Sequence, residues 1–169
     1  MKIYNVHERS FRVDLKSVET LLDNLSGSDD KLWPHDAWPS MEFDKPLGEG
    51  AKGGHGPVRY HVSEYFPGKR VIFQFDNEGI IAGLDGRHVF EIIPRRDHVV
   101  LRHIVDAACT FRDWVLWHVI VGPLHDALLE DALDRAEAKL QGNLQKPARW
   151  SIWVRFIRYM MARKAVGKS

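Results

Sequence analysis

From Lys2 to Val13 the chain is rich in β-branched and aromatic residues, the composition of a strand. Asp14 then stands where a helix N-cap belongs. Leu15, Val18, Leu21, Leu22 and Leu25 follow at three- and four-residue spacings, one apolar stripe on a helix that Ser26-Gly27-Ser28 stops. A short second helical turn is expected over Asp29–Trp33, ending at Pro34. Pro34 to Gly56 holds three prolines and five glycines and reads as loop, apart from a short strand at Met41–Phe43. Strand patterns then recur at Val58–Phe66, Arg70–Asp76, Arg87–Ile93 and His98–Asp106. Two of the connections, Pro67-Gly68-Lys69 and Pro94-Arg95-Arg96-Asp97, are short enough for antiparallel hairpins, and Asn77–Gly86 is a longer glycine-containing loop.

After Phe111 the period becomes helical. Trp114, Trp117, Val121, Leu124, Leu128, Ala132 and Arg135 lie along one side. Asp113, Asp126, Glu130, Asp131 and Asp134 take much of the other, which assigns them to solvent. Pro123 should kink or divide this helix near Val119, because it has no N–H to donate there. The helix ends around Gln141-Gly142-Asn143. A strand, two short helices, a run of antiparallel strands and one long helix make an α+β fold. A curved antiparallel sheet closed by the long helix buries both apolar faces at once.

Composition narrows the class. With 44% hydrophobic and 28% charged residues the chain is ordinary globular protein, and 169 residues suit one main domain. A single cysteine, Cys109, excludes an internal disulfide and a thiolate metal cluster. The charged N-terminus lacks the apolar run of an export signal, so a soluble, cytoplasmic protein is expected. The net charge of +1 hides an asymmetry. Residues 146–169 carry seven basic and no acidic side chains, so residues 1–145 carry a net −6. That body is too acidic for a general nucleic-acid surface, a local basic patch aside, and no sequence-specific nucleic-acid partner is expected.

The element order resembles that of the START-like superfamily, the helix-grip fold of Bet v 1, START and polyketide cyclase/dehydrase-like proteins. The likeness covers about residues 2–140 and rests on the opening strand, the Asp14-Leu15-Lys16-Ser17-Val18 helix entry, the hairpins and the final helix. Gly53-Gly54-His55-Gly56-Pro57 and Pro123-Leu124-His125-Asp126-Ala127-Leu128-Leu129-Glu130-Asp131 resemble strings of bacterial SRPBCC-type proteins. The resemblance implies a ligand-binding domain over residues 1–145, with a cavity between sheet and helix for an apolar or aromatic molecule such as a lipid or polyketide. It implies no cofactor. No motif separates a binder from a cyclase, dehydrase or hydrolase.

Strand alternation says which residues would face that cavity. Tyr60, Val62 and Phe66 point inward from the first of the four strands, but Glu64 shares their parity, so the strand bulges there or a carboxylate enters. Val71, Phe73 and Phe75 point inward from the next, His88, Phe90 and Ile92 from the third, and Leu101, His103 and Val105 from the last. Trp117, Val121, Leu124 and Leu128 would close the lid, with His55 at the mouth. The same residues would equally make a filled core, and pattern alone leaves both open. His88, His103 and Glu64 are the candidate acid/base groups, and imidazole suits proton transfer near neutrality. Those two histidines with His55 could also converge on zinc, but no HExxH-like spacing supports it and no metal is assigned. On the helix, His125 lies nearer the apolar stripe than Asp126 or Glu130.

Beyond the hinge at Lys146-Pro147, residues 146–169 form a basic amphipathic helix. Trp150, Trp153, Val154, Ile157, Met160 and Met161 share one side, with Arg155 and Arg158 elsewhere. Trp150, Trp153, Arg155 and Arg158 could meet a membrane surface or a second copy in a homodimer, or the stripe could dock on its own domain. Three functions remain: a small-molecule binder, an enzyme using cavity histidine or glutamate, and an interaction module acting through the tail.

Overall fold

A computed structural model of the chain describes residues 1–76, 78, 82–144 and 146–166, with side chains described as far as Arg163. Residues 77 and 79–81 of the expected glycine loop lie outside the described residues, as do 145 and 167–169 with the basic Lys168. Seven strands form one antiparallel sheet. They are β1 (Lys2–Phe11), β2 (Met41–Phe43), β3 (Lys52–His55), β4 (Val58–Phe66), β5 (Arg70–Phe75), β6 (Leu84–Pro94) and β7 (Val99–Cys109). Their order is β1-β7-β6-β5-β4-β3-β2, so each strand from β2 to β7 pairs with the next and β1 closes the far edge on β7. The helices are α1 (Leu15–Asp23), α2 (Phe111–Leu116), α3 (Gly122–Gln141) and α4 (Ile152–Val166), with a π-helical turn at Trp117–Val121 joining α2 to α3. This is the α+β helix grip expected from the sequence.

Asp14 caps α1 as its position implies, accepting the backbone N–H of Ser17 at 2.9 Å. The second helical turn over Asp29–Trp33 does not form. Asp30 is buried and its carboxylate accepts the N–H groups of Ser26, Leu32 and Trp33, which holds the segment as a turn instead. The glycine-rich loop likewise contains an unexpected strand, β3. A Cβ on Gly53 would sit 1.9 Å from the Glu42 carbonyl oxygen, and one on Gly54 1.9 Å from that of Val58. The glycines here let three backbones come together, which composition alone reads as loop.

The bulge in β4 is real. Pairing with β5 shifts register between Val62 and Glu64, after which the faces exchange. Phe66 is therefore exposed rather than inward, while Tyr65 packs on the core. Glu64 lies outside as well, half exposed and paired with Arg70 at 3.1 Å.

The expectation that Asp126, Glu130, Asp131 and Asp134 face solvent fails, for a reason written in β1. Asn5, His7 and Arg9 share parity with the buried Ile3 and Phe11, so three polar side chains point at α3. Asn5 donates to Asp126 at 3.0 Å, and His7 lies between Asp126 (3.1 Å) and Glu130 (2.9 Å). Arg9 donates to Glu130 and Asp134, both at 3.0 Å, and to Glu137. A row of donors on the edge strand is thus met by a row of carboxylates four residues apart on the helix.

Asp131 fastens the tail. Its Oδ2 accepts the indole N–H groups of Trp38 (2.7 Å) and Trp150 (2.8 Å). The Arg158 guanidinium lies 4.1 and 4.2 Å from the same two rings and donates to the Ala37 carbonyl. Val154 and Ile157 are buried. Pro123 leaves the Val119 carbonyl without the N–H of a regular turn, and Trp153 Nε1 donates to that carbonyl at 2.7 Å. Trp150 and Arg158 are therefore spent on the protein's own domain, and only Trp153 and Arg155 of the four proposed contact residues stay outside.

Replacing Arg9 by Met removes the fork that neutralises Asp134, whose carboxylate stays buried. Arg9→Met is expected to cost about 3 kcal/mol in urea unfolding, because a buried charge loses its partner. Arg102→Met breaks only the surface pairs to Glu8 and Glu91 and is expected to cost under about 1 kcal/mol.

Candidate functional site

Two core clusters fill the grip. The larger lies under α1 and the C-terminal part of α3, around Phe11, Leu22, Leu101, Leu129 and Leu133. The smaller gathers Ile3, Leu84, Val105, Ala107 and Trp117. Between them is a cavity of about 150 Å³. Leu128 and Leu129 from the first cluster and Leu84, Val105 and Trp117 from the second contribute to its wall, and Trp33, Trp38 and Met161 reach it from the loops and α4.

Of the residues expected at the site, His55, Phe75, His88, His103, Trp117, Val121, Leu124 and Leu128 line the cavity. Tyr60, Val62, Phe73, Phe90 and Leu101 are buried but stand behind that wall, as core. Glu64 is outside, because the bulge turns its side chain to solvent, so it is no candidate acid or base. His55 sits in the wall itself, hydrogen-bonded through Nδ1 to the Tyr60 hydroxyl at 2.9 Å.

His88 and His103 come together as the hairpin register requires: His88 lies opposite Val105, and His103 opposite Phe90. His88 Nδ1 and His103 Nε2 are 3.2 Å apart. One nitrogen must donate and the other accept, so the pair holds two protons on four nitrogens. The two outer nitrogens, His88 Nε2 and His103 Nδ1, have no partner, and both are buried. Whichever tautomer is present, the pair offers one N–H and one lone pair at its outer ends. Uptake of a proton at the outer lone pair, transfer of the shared proton and release of the proton at the other outer nitrogen would exchange those roles. Phe73 and Phe75 stack on the His88 ring at 4.6 and 5.1 Å, and Phe90 meets His103 edge-on at 4.5 Å, which fixes both rings.

The row continues beyond the expected residues. The His103 and His125 ring centres are 5.1 Å apart, and those of His125 and His7 are 5.7 Å apart. Neither nitrogen of His125 has a hydrogen-bond partner. His7 is not singled out by the sequence reading, which notes Asp126 and Glu130 as a pair on one helical face and assigns them to solvent. The available signal was the shared parity of Asn5, His7 and Arg9 with Ile3 and Phe11 on one strand.

No family model and no curated protein matches the sequence. Among solved structures, norcoclaurine synthase from Thalictrum flavum, in complex with dopamine and hydroxybenzaldehyde, superposes with a TM-score of 0.62 at 14% identity. That match covers 86% of this chain and 90% of the synthase. A Thermobifida fusca protein matches with a TM-score of 0.62 at 16% identity, over 88% of this chain and 99% of that one. CalU16 from Micromonospora echinospora matches with 0.57 at 12% identity, over 92% and 81%. The fold is the Bet v 1-like helix grip that the sequence resemblance implies.

Burial pushes the pKa of His55 down to about 3, and those of His88 and His103 well below the ordinary value. Burial also opposes the charge on His7, but hydrogen bonds to Asp126 and Glu130 outweigh it and raise its pKa. An unfolded histidine takes a proton near pH 6.5, which these three wall histidines and His125, whose pKa burial also lowers, refuse when folded. Their contribution is complete above that pH and is lost as the pH falls. His7 acts in the opposite sense, being lost as pH rises through its own folded pKa. Four against one, stability and with it the melting temperature are expected to fall between pH 7 and pH 5, with a slope of up to about 1.4 kcal/mol per pH unit for each net histidine. A scanning-calorimetry series would read this, and a flat or rising profile would contradict the assignment.

Proposed function

We propose that the protein binds a small apolar molecule carrying one polar group in the cavity between the sheet and α3. The observation that carries this is a mostly apolar cavity into whose wall three histidines with nitrogens lacking a hydrogen-bond partner are built, His88, His103 and His125. Its volume matters: about 150 Å³ is the scale of a single aromatic ring or a chain tip, below the roughly 300–1,000 Å³ of sites for drug-sized ligands. A phenolic or carbonyl oxygen suits the His88–His103 pair, which offers it a donor or an acceptor. The neighbours with this fold include a synthase crystallised with dopamine and hydroxybenzaldehyde, so aromatic ligands are within the capacity of the architecture. Enzymatic turnover, of cyclase, dehydrase or hydrolase type, would use the same pair to accept a proton at one end and release it at the other.

Tryptophan fluorescence, with Trp33, Trp38 and Trp117 in the wall, reads binding directly. Phenol is expected to bind about tenfold tighter than toluene, the gain of one hydrogen bond of about 1.4 kcal/mol. His103→Leu should abolish that preference, and Leu124→Trp, which fills the cavity, should abolish both. Equal binding by Leu124→Trp would end the proposal.

A second reading concerns the outer face of α4, which the docked helix leaves unpartnered. Ile152, Trp153, Phe156, Tyr159 and Met160 are exposed there, and Phe111, Val115 and Val119 of the α2 and π-turn segment are exposed as well. The Trp153–Val119 hydrogen bond brings the two rows side by side. With Arg149, Arg155 and Arg163 and no acidic residue in the tail, this surface suits an anionic lipid layer. No helix among the described residues is long and apolar enough to cross a membrane. Sedimentation with phosphatidylglycerol vesicles is expected to carry down the full chain in low salt, and Phe156→Glu/Met160→Glu should stay in solution. A chain that ignores vesicles and sediments as a dimer by ultracentrifugation would assign the face to a second copy instead.

A further inference from the structure

We propose that His7 Nε2, His125 Nδ1 and the Asp126 carboxylate form a site for one divalent transition-metal ion, at the edge of the cavity. Each residue offers a ligand atom within 4.8 Å of the other two. Asp126 Oδ1 lies 3.1 Å from His7 Nε2 and 3.6 Å from His125 Nδ1. Ligand atoms around a tetrahedral ion with bonds of roughly 2.0–2.1 Å stand about 3.3 Å apart. Both spacings from Asp126 suit such an ion, and the two imidazole nitrogens lie within 4.8 Å of each other.

Three further features favour it. Both nitrogens of His125 are buried without a hydrogen-bond partner. Among the described residues, every buried side-chain nitrogen or oxygen lacking a partner belongs to Asn5, His88, His103 or His125, so the unmet polar capacity is concentrated here. His7 also has the outer partner expected of a metal-bound imidazole. Its Nδ1 lies 2.9 Å from Glu130 Oε1, and Glu130 is itself held by Arg9. Without the ion, the Nε2 proton of His7 bridges the same two ligand atoms.

Two imidazoles and one carboxylate favour zinc or cobalt over magnesium or calcium, which prefer all-oxygen sites. Three protein ligands leave a coordination position open, the arrangement of a reactive rather than a purely structural ion. His125 lines the cavity, so the ion would adjoin whatever small molecule enters there. Metal binding itself does not depend on the cavity having a ligand.

The test uses the full chain, stripped with EDTA and dialysed, then titrated with Co²⁺ and, separately, with Zn²⁺ by calorimetry. One equivalent of Co²⁺ is expected to give the visible d–d bands of a four- or five-coordinate ion, displaced by Zn²⁺ but not by excess Mg²⁺. His125→Gln and Asp126→Asn should each lose the bands, while His98→Ala, at a histidine paired with Asp97 in the β6–β7 turn, should retain them. Glu130→Gln should weaken affinity by roughly 10- to 100-fold, the usual cost of losing an outer hydrogen bond to a ligating histidine. Circular dichroism of each variant separates lost binding from lost folding. If Asp126→Asn does not fold, the folded His125→Gln protein decides the matter. Absence of d–d bands in the parent protein, or equal binding by a folded His125→Gln variant, overturns the proposal.

Discussion

Apolar packing of Leu129, Leu133 and Ala136 holds α3 on the sheet, and charge sets its register along β1. Asp134 and Glu137 are buried, and removing carboxylates from water costs several kcal/mol each unless a cation meets them. Arg9 supplies that cation, with Glu130 on its other nitrogen, and His7 and Asn5 extend the row toward the start of the helix. Sliding the helix by one turn would move it about 5.4 Å and place every carboxylate against the wrong donor. The helix is therefore pinned along β1, at one edge of the sheet. Toward the middle of the sheet, where His88, His103 and Phe75 rise to meet it, it spans a gap and leaves the cavity open.

The other end of the grip depends on an interrupted helix. Pro123 breaks the regular bonding, the chain relaxes into a π turn at Trp117–Val121, and the Val119 carbonyl turns to Trp153. That single bond ties the tail to the segment that lines the cavity, since Trp117, Ile120 and Val121 are all in its wall. On the opposite side of α4, Arg158 is clamped between Trp38 and Trp150, and Trp38 also faces the cavity. The tail is thus part of the cavity's construction, and any partner that seats on its exposed face touches the same framework.

Much of the grip was legible because its strands alternate cleanly and its helices are apolar on one side. Val71, Phe73 and Phe90 needed nothing more than parity. The misses share one cause: a local pattern overruled by a partner distant in sequence. Asp126, Glu130, Asp131 and Asp134 look solvated on a helical wheel until Asn5, His7, Arg9 and two tryptophans are placed against them. Gly53 and Gly54 look like loop until the backbones of β2 and β4 are seen to need their missing side chains. Asp30 looks helical until its carboxylate takes the N–H groups of the following turn. At the candidate site, the pairing of His88 with His103 follows from alternation, whereas the volume of the cavity does not, since it is what remains after every side chain has been placed.

The line of imidazoles from His88 through His103 and His125 to His7 is hard to account for as a device of stability. An apolar core of the same volume would fold at least as well, because buried polar groups rarely gain more than they lose in desolvation. Here the loss is plain: four of the nitrogens in that line have no hydrogen-bond partner. The environment also grades along the line. The wall histidines are held neutral by burial, while His7, at the edge, is drawn toward charge by two carboxylates. Neutral imidazoles suit a guest that needs a donor or an acceptor, and the carboxylate-flanked end suits a cation. A seam with one chemistry at the cavity and another at the sheet edge, kept at an energetic cost to the fold, is what a site for handling a polar group inside an apolar chamber requires.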